Sequence, residues 1–330
     1  MRGRPVETVQ LIFPPSSSVG HYEPMVTTPM GLAYLGAVLR ERGYRVWGLD
    51  ALAEAPYQVE QLGEGVVRYG LTPRQIVDRV RRRRPHVVGL SCLYSNQWPA
   101  VRAIAAGVKR LDPEILVVAG GAHPTALPER CLRDSELDLI VLGEGERTFP
   151  EALRRIAAGR PLDDLGGVAW REGDDVRVNQ GGELIEDLDS LPLPAHDLFP
   201  PERYFELALP MGYTLRSRRS LPVITSRGCP MRCTFCASTR FWGKRLRARS
   251  PEAVLAELEW LVSRYGVEDV KFQDDNLTAR RGRARRLFEG MARARFRLGW
   301  STPNGVAIWT LDDELLRLMK RAGCYELTLS

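Results

Sequence analysis

The sequence has no long apolar run. Nothing approaches the roughly 18 consecutive apolar residues of a membrane-spanning helix, and the apolar stretch 9–13 is too short for a signal peptide. We therefore expect a soluble, cytoplasmic protein with no membrane partner. At about 100 to 200 residues per domain, the 330 residues suffice for two domains, each with its own core.

Lysine is scarce, since only four of the 47 basic residues are Lys. The net charge of +6 is local, because residues 280–297 carry eight Arg and one Glu, which leaves the remainder at −1. Such a stretch is typical of a solvated helix face, with an anion or partner patch as the alternative. The charge therefore does not predict a nucleic-acid partner.

Cysteine is also sparse and unevenly placed. Of six cysteines, Cys92, Cys131 and Cys324 are isolated, whereas the other three lie within the eight residues 229–236. In a chain without a secretory signal, a cluster of this kind indicates a metal site rather than a disulfide framework.

Short apolar runs alternate with helical periodicity through the first half of the chain. The predicted strands are 9–13, 45–50, 86–92, 114–119 and 138–142, and the predicted helices are about 30–42, 73–83, 97–110, 125–133 and 147–158. Strands that are apolar on both faces and alternate with helices predict a doubly wound parallel α/β sheet covered on both sides. Ligands bind such sheets beyond the carboxyl ends of the strands.

The unusual residues of the first half fall at those carboxyl ends. The third strand ends in Ser91-Cys92-Leu93, the fourth in Gly120-Gly121, and the fifth in Gly143-Glu144-Gly145. Adjacent glycines let the backbone approach a large flat ligand, although tight βα turns would also use them. A dinucleotide site is disfavoured, because the third glycine of its fingerprint is missing and the motif follows the fifth strand rather than the first.

A second βα series follows a Pro-rich segment. Residues 166–180 predict a hairpin, and the Pro-rich residues 191–201 predict neither a helix nor a sheet interior. We therefore predict one domain over 1–180, a linker over 181–220 and another domain over 221–330. The second domain has predicted strands at 222–225, 270–273, 299–301 and 325–329 and helices at 250–265, through the Arg-rich stretch and at 311–321.

The three clustered cysteines form the motif C-x3-C-x2-C, as Cys229, Cys233 and Cys236. Structural zinc sites use four ligands, usually as two separated pairs, and bacterial ferredoxins supply four cysteines per cluster. No fourth cysteine is near in sequence, since the next is Cys324. Three thiolates for four irons leave one iron open to a substrate, whereas zinc and plain buried thiols are the alternatives.

With this motif after a predicted strand and before a helix, the sequence resembles the radical S-adenosylmethionine enzymes. The resemblance implies a [4Fe-4S] cluster on Cys229, Cys233 and Cys236, with S-adenosylmethionine chelating the open iron. It implies one-electron cleavage of the sulfonium bond, which gives a 5′-deoxyadenosyl radical that abstracts hydrogen from the substrate. By its position in the motif, Phe235 would pack near the adenine.

The family often binds the amino group of S-adenosylmethionine with a Gly-Gly-Glu motif, which this chain lacks. Asp274 and Asp275 stand at the end of the second strand of the barrel, where such enzymes place their sites. The resemblance makes this acidic pair the substitute, with a plain acidic turn or helix cap as the alternative.

The first half is similar to cobalamin-binding domains. Ser91-x-Leu93 and Gly120-Gly121 resemble their S-x-L and G-G elements, so that Gly143, Glu144 and Gly145 complete the predicted site. The chain is thus similar to the cobalamin-dependent radical S-adenosylmethionine enzymes over nearly its whole length. It lacks their D-x-H-x-x-G element, because Pro14-Pro15-Ser16 follows the first strand. We therefore expect cobalt without a histidine ligand, and His21 and His123 as loop histidines.

The resemblance implies an enzyme that methylates an unactivated carbon or phosphorus of a small molecule. It also implies an electron donor such as flavodoxin or ferredoxin. The alternatives are a cyclase of the same family and a corrinoid-binding protein with an inactive second domain. Because eight βα units take about 250 residues, residues 221–330 predict a partial barrel that would leave strand 325–329 as an exposed edge. We therefore expect either that Ser330 is a truncation point or that another polypeptide completes the barrel.

Overall fold

The structure is a computed structural model that describes residues 6–20, 24–173, 175–212 and 214–330. Its contacts divide the chain into two compact units. The first unit is Met1–Pro24 with Gly31–Ile185, and the second is Met25–Met30 with Glu186–Ser330. The passage between them, after residue 185, falls inside the stretch that the sequence predicts as a linker.

The described residues contain sixteen strands, numbered here in chain order. They are β1 Thr8–Phe13, β2 Ser16–Val19, β3 Arg45–Asp50, β4 Val59–Gly63, β5 Val66–Tyr69, β6 Val87–Ser91, β7 Leu116–Gly120, β8 Leu139–Val141, β9 Val168–Glu172, β10 Asp175–Asn179, β11 Ser220–Val223, β12 Ser226–Arg227, β13 Arg247–Ala248, β14 Asp269–Phe272, β15 Gly299–Val306 and β16 Cys324–Leu329.

The same residues contain twelve α-helices. They are α1 Met30–Glu41, α2 Ala51–Glu54, α3 Pro73–Arg83, α4 Trp98–Leu111, α5 Ala122–Ala126, α6 Pro128–Arg133, α7 Gly145–Ala157, α8 Pro201–Leu207, α9 Ser238–Phe241, α10 Pro251–Tyr265, α11 Arg281–Arg293 and α12 Asp313–Arg321.

The first unit is built on a seven-stranded sheet with the order β10-β9-β8-β7-β6-β1-β3. Strands β3, β1, β6, β7 and β8 are parallel, and β9 and β10 add an antiparallel hairpin at the edge. All five residues of β6 are buried, as expected for a strand covered on both faces. The predicted doubly wound parallel sheet is confirmed, and so is the hairpin.

A small antiparallel sheet of the first unit escaped prediction. Its order is β2-β5-β4, and β2 follows β1 after only two residues. Two of its strands are poor in apolar residues, since β2 is Ser-Ser-Ser-Val and β4 is Val-Glu-Gln-Leu-Gly, whereas β5 is Val-Val-Arg-Tyr. Periodicity therefore gives little signal, and the pairing joins strands that are far apart in sequence.

The second unit holds a four-stranded parallel sheet with the order β11-β14-β15-β16. The prediction of α10 is confirmed in detail, because the Ser250 hydroxyl accepts a 3.1 Å hydrogen bond from the Ala253 N–H and Gly266 ends the helix with φ +61°. Helices α10 and α11 contribute Leu258 and Phe288 to one core with the sheet. In this core the ring of Trp300 stacks on Phe288 with centroids 4.9 Å apart.

One prediction about proline was wrong, and another holds up to its last residues. The predicted helix 125–133 is two helices, α5 and α6, because Pro128 begins the second. The Pro-rich segment 191–201 contains no strand and only a 3₁₀ turn at His196–Leu198, before α8 starts at Pro201. Proline lacks an N–H and has φ near −65°, so the first position of a helix accepts it although the interior does not.

No helix in the described part of the chain is long and apolar enough to cross a membrane. The cytoplasmic location inferred from the sequence stays a prediction.

Candidate functional site

The cysteine motif lies on a loop with a short two-stranded base. Strands β12 and β13 pair antiparallel, with Ser226 opposite Ala248 and Arg227 opposite Arg247. We call residues 225–227 and 247–249 the stem and residues 228–246 the cysteine loop. Because the stem follows β11, the loop starts at the carboxyl end of the first strand of its sheet, where βα folds place their sites.

The three thiols of the motif are free and accessible to different degrees. Cys229 is half-buried, whereas Cys233 and Cys236 are exposed. The Cys236 N–H donates a 3.2 Å hydrogen bond to the Cys233 carbonyl, so these two residues share one turn. Burial raises the pKa of the Cys229 thiol, and the nearby Asp275 carboxylate acts in the same direction.

The other cysteines do not compete as ligands. Cys92 and Cys131 are buried in the core of the first unit, and burial raises their thiol pKa values to about 12 and about 11. Burial likewise raises the pKa of Cys324 on β16 to about 12. The donors available to an iron–sulfur cluster are therefore the three thiols of the loop, as the motif predicts, and a set of three soft sulfur ligands fits such a cluster.

The three thiols share one loop but are not arranged as a metal-binding group. Within the described ranges, no group of three or more His, Cys, Asp or Glu side chains is arranged to hold a metal ion. Phe235, predicted to pack near adenine, is 91% exposed. Its ring is thus available to a ligand on the open side of the loop.

Asp274 and Asp275 follow β14 but have different surroundings. Asp274 is only 2% exposed, and it accepts hydrogen bonds from the Thr225 N–H at 3.1 Å and the Thr225 hydroxyl at 2.7 Å. The Ser226 hydroxyl donates to it as well. The structure therefore joins the carboxylate of Asp274 to the residues that open the cysteine loop.

Asp275 is half-buried and accepts a hydrogen bond from the Ser238 hydroxyl, two residues after Cys236. Its carboxyl pKa is raised by burial, an effect that the hydrogen bond from Ser238 opposes. The acidic pair thus contacts both sides of the cysteine loop.

In the first unit, the predicted cofactor residues collect at one edge of the sheet. Ser91 pairs with Gly120 in the register of β6 and β7, and Gly120 pairs with Val141 of β8. The structure therefore brings together the ends of three neighbouring strands. A Cβ on Gly120 would meet only the Val141 carbonyl, at 3.5 Å, so the space next to this glycine is open.

The neighbouring glycines have conformations that other residues rarely adopt. Gly121 has φ +109° and Gly143 has φ +65°, and a Cβ on Gly121 would stand 2.5 Å from the Cys92 carbonyl oxygen. Gly145 begins α7 and has no contact closer than 3.6 Å for an added Cβ. The tight turn therefore explains why residue 121 is a glycine. At Gly120 and Gly145, by contrast, an added Cβ would meet no close neighbour.

Leu93 and Glu144 behave differently at this edge. Leu93 is 40% exposed and can contact a ligand, but Glu144 is 4% exposed. The Glu144 carboxylate accepts a hydrogen bond from the Ile185 N–H within the first unit.

The histidines do not alter the predicted site. His21 lies outside the described residues. His123 lies in α5, where its Nδ1 is 2.9 Å from the Ser95 hydroxyl and its ring is 5.2 Å from that of Trp98. Burial lowers the pKa of His123. Where the missing histidine element would stand, the chain forms β2.

Sequence reasoning missed a polar cluster on the second sheet. Lys271 is 1% exposed, and its ammonium donates to the Thr214 carbonyl at 2.7 Å, the Ser301 hydroxyl at 3.1 Å and the Tyr325 hydroxyl. Asp269 lies 3.5 Å from the same ammonium. The alternation Asp-Val-Lys-Phe in β14 was the available signal, because it places charged residues on one face of a strand.

Arg283 was missed as well. The Arg-rich stretch forms α11, predicted as a solvated face, and Arg281 and Arg285 do pair with Asp312 near the surface. Arg283 is the exception at 9% exposed, and it donates to the carbonyls of Thr225 and Arg249. The solvated-face prediction is wrong for this residue, because its guanidinium has buried acceptors in the stem.

Comparison with known proteins identifies both units. The model of the B12 binding domain matches residues 23–153, and that of the Radical SAM superfamily matches residues 223–330. Cobalamin and S-adenosylmethionine are thus the cofactors for which the two matched domains are named.

Curated proteins and solved structures extend the similarity. The chain is 36% identical to a cytidylyl-2-hydroxyethylphosphonate methyltransferase of Streptomyces wedmorensis over 99% of its own length and 65% of that protein. It is 27% identical to an anaerobic magnesium-protoporphyrin IX monomethyl ester cyclase of Rubrivivax gelatinosus, covering 91% of this chain and 51% of the other. The chain thus spans between half and two thirds of these relatives.

Among solved structures, the fold matches the radical S-adenosylmethionine methyltransferase TsrM of Kitasatospora setae with a TM-score of 0.74 and 20% identity, over 98% of this chain and 59% of that one. Within this chain, the match to the B12 binding domain precedes the match to the Radical SAM superfamily. The chain therefore belongs to the cobalamin-dependent radical S-adenosylmethionine family, in which a B12-binding domain precedes a radical SAM domain.

Proposed function

We propose that this protein is a cobalamin-dependent radical S-adenosylmethionine methyltransferase that acts on an unactivated carbon or phosphorus of a small molecule. The observation that carries the proposal is the set of three free thiols on one loop at the carboxyl end of β11. When bound, the cluster supplies the electron that cleaves S-adenosylmethionine, and cobalamin supplies the methyl group. The Streptomyces wedmorensis relative, by its name, methylates a phosphonate, which supports methyl transfer here.

In this proposal Cys229, Cys233 and Cys236 bind three irons of a [4Fe-4S] cluster. The half-buried Cys229 and the exposed Cys233 and Cys236 would hold the cluster, and three thiol ligands would leave S-adenosylmethionine a place on it. Phe235, which is exposed, would pack near the adenine. Asp275, which accepts from Ser238 of the loop and is less buried than Asp274, would be the carboxylate available to this ligand.

For cobalamin, we assign the carboxyl edge of the first sheet. Ser91 and Leu93 follow β6, Gly120 ends β7, and Gly121 shapes the turn that follows it. Gly143 and Gly145 flank Glu144, which fixes the turn after β8 through Ile185. None of these residues is a histidine, so we propose that no imidazole of this chain binds cobalt.

The electron donor is proposed to be an acidic protein such as flavodoxin or ferredoxin. Residues 227–249 contain seven Arg and Lys residues and no Asp or Glu. Arg232 and Lys244 of the cysteine loop are exposed. Positive charge around the loop would steer an acidic donor to the cluster, and the electron transfer rate should fall as salt screens this attraction.

Anaerobic reconstitution with iron and sulfide tests the proposal. The wild type should hold about four irons per chain and release 5′-deoxyadenosine from S-adenosylmethionine when reduced. Cys233→Ala should lose both properties, whereas the control Cys324→Ala should keep them. Full iron content and full cleavage in the triple Cys→Ala variant would refute the proposal.

The second candidate is a cyclase of the same family. It is favoured by the named cyclase of Rubrivivax gelatinosus, which matches over 91% of this chain. Isotopic labelling separates the two reactions. A labelled methyl group of S-adenosylmethionine appears in the product of a methyltransferase, and a cyclase product lacks it.

A further inference from the structure

The stem of the cysteine loop is held by a buried carboxylate from the next strand. Asp274 follows β14, and its two oxygens accept from the Thr225 N–H, the Thr225 hydroxyl and the Ser226 hydroxyl. Thr225 is 0% and Ser226 5% exposed, so water does not compete for these donors. The carboxylate therefore fixes the side of the stem that leads into the loop.

A buried guanidinium holds the same stem from the helix side. Arg283 of α11 donates through Nη2 to the Thr225 carbonyl at 3.0 Å and through Nε to the Arg249 carbonyl at 2.7 Å. The Arg249 N–H also donates to the Thr225 carbonyl at 3.0 Å. One planar side chain thus bridges the residues that enter and leave the loop, a geometry that lysine could not reproduce.

Burial makes these contacts specific. Asp274 is 2% and Arg283 9% exposed, and a buried charge is tolerated only where other charges and hydrogen bonds compensate it. Their opposite charges act on each other across Thr225. Removal of either side chain would leave the charge of the other buried, with fewer opposite charges and hydrogen bonds to compensate it.

We propose that Asp274 and Arg283 are positioning residues that fix the stem so that the three thiols can converge on the cluster. The proposal rests on the proposed function for the cluster itself. It differs from the prediction that Asp274 binds the amino group of S-adenosylmethionine, because each of its oxygens already accepts from the stem. Asp275 remains beside the loop for that task.

The test compares Asp274→Asn and Thr225→Val with the control Asp313→Asn. Asp274→Asn keeps the shape of the side chain but replaces one acceptor oxygen with a donor group. Thr225→Val removes the buried hydroxyl that donates to Asp274. Asp313 is an exposed carboxylate of the same unit, with 87% of its side chain accessible. All variants are measured by thermal unfolding, to establish that the chain folds.

The first readout is amide hydrogen exchange of residues 224–250 in the protein before reconstitution. A hydrogen bond to a charged group contributes a factor of about ten or more in an equilibrium, so exchange in the stem should be about tenfold faster in Asp274→Asn and faster to a lesser extent in Thr225→Val. The control should match the wild type. Unchanged exchange in both stem variants would overturn the proposal, whether or not a cluster can be formed.

The second readout is iron content and the electron paramagnetic resonance signal of the reduced cluster, recorded without S-adenosylmethionine. We expect both stem variants to lose cluster, and their effects to be less than additive in the double variant. If Asp274→Asn keeps a full, unperturbed cluster and loses only affinity for S-adenosylmethionine, Asp274 is a ligand residue and the proposal is wrong. A wild type that binds no iron would instead refute the proposed function.

Discussion

The carboxylate of Glu144 accepts a 2.8 Å hydrogen bond from the backbone N–H of Ile185. Both residues are buried, at 4% and 0% exposure, and Ile185 is the last residue of the first unit. Glu144 stands in the glycine-flanked turn after β8 that the sequence marks as a cofactor loop. Its side chain points into the protein, which makes it a support of that loop.

We expect Glu144→Ala to lower the free energy of unfolding of the first unit by about 1–3 kcal/mol, because a buried N–H loses its acceptor. Glu144→Gln, which keeps an acceptor oxygen, should cost less. Urea unfolding measures both. The control Glu183→Ala removes an exposed partner of Arg147 and should change the stability by less than about 1 kcal/mol. A large loss of cobalamin affinity in Glu144→Gln with unchanged stability would contradict this role.

Gly120 and Gly121 should respond differently to substitution by alanine. At Gly121, φ is +109° and a Cβ would stand 2.5 Å from a backbone oxygen, so alanine should destabilise the fold with or without a ligand. Gly120 has an ordinary φ and only one neighbour, at 3.5 Å. We expect Gly120→Ala to fold normally, and Gly120→Leu to fold but bind cobalamin more weakly, as measured by absorbance titration. Wild-type affinity in folded Gly120→Leu would remove this edge from the cobalamin site.

The cobalt ligand can be tested by electron paramagnetic resonance of the cob(II)alamin form. Because no histidine element follows β1, we expect no superhyperfine splitting from a protein imidazole nitrogen. Among the described histidines, His123 is the one near this edge. The His123→Gln variant is therefore the control, and it should give the same spectrum as the wild type. Splitting that disappears in that variant would show that His123 binds cobalt.

The five parallel strands of the first unit could be predicted because each is a short apolar run. Strand β6, for example, reads Val-Val-Gly-Leu-Ser and is buried throughout. The small sheet could not be predicted in this way, since Ser16 pairs with Tyr69 and the strand carries little apolar signal. The hydrophobic pattern of a segment indicates which of its residues are buried. It does not indicate which strand a polar strand pairs with, because that pairing is set by residues far away in the sequence.

The candidate site shows the same limit. The three cysteines follow from spacing alone, since their ligand chemistry is local. The role of Arg283 could not follow, because it is one of eight arginines in its stretch and its acceptor Thr225 is 58 residues away. Likewise, nothing in the sequence separates Asp274 from Asp275, although only one of them is nearly fully buried.

Gly228, next to Cys229, should not tolerate a side chain. Its φ is +84°, and a Cβ would stand 2.5 Å from the Arg245 carbonyl oxygen across the base of the loop. We expect Gly228→Ala to reduce the iron content after reconstitution while the core of the second unit stays folded. The control Gly282→Ala lies in α11 with nothing within 4 Å, and it should gain about 0.5–1 kcal/mol of stability. Equal iron content in the two variants would contradict this expectation.

His196 should make the second unit sensitive to acid. It is 0% exposed, neither ring nitrogen has a hydrogen-bond partner among the described residues, and the rings of Trp260 and Tyr265 lie beside it. Burial lowers its pKa to about 4. In the unfolded chain this imidazole binds a proton as the pH falls through about 6.5, whereas in the folded protein it binds one only near pH 4. The free energy of unfolding should therefore not depend on His196 above about pH 7, and it should decrease as the pH falls from about 6.5 toward about 4.

Between about pH 7 and about pH 5, this histidine alone should remove about 2 kcal/mol from the free energy of unfolding. His196→Leu should show a smaller loss over the same interval, while the two proteins should have parallel stability curves above pH 7. Urea unfolding across the pH range gives both curves. Identical acid dependence in the variant would show that His196 is protonated in the folded state or paired there.

The order of the strands in the second sheet, β11-β14-β15-β16, is also their order along the chain. Each new strand can therefore dock on the previous one as soon as it and its helix have left the ribosome. In the first sheet, β1 lies between β3 and β6. One edge of β1 therefore stays unpaired until β6, which starts at Val87, has been synthesised. Contacts between residues that are close in sequence form faster than distant ones, and domains fold as units during synthesis. The sheet of the second unit can therefore form by stepwise addition of strands. The sheet of the first unit cannot be completed in this way, because its central strand β1 pairs with a strand that is synthesised later.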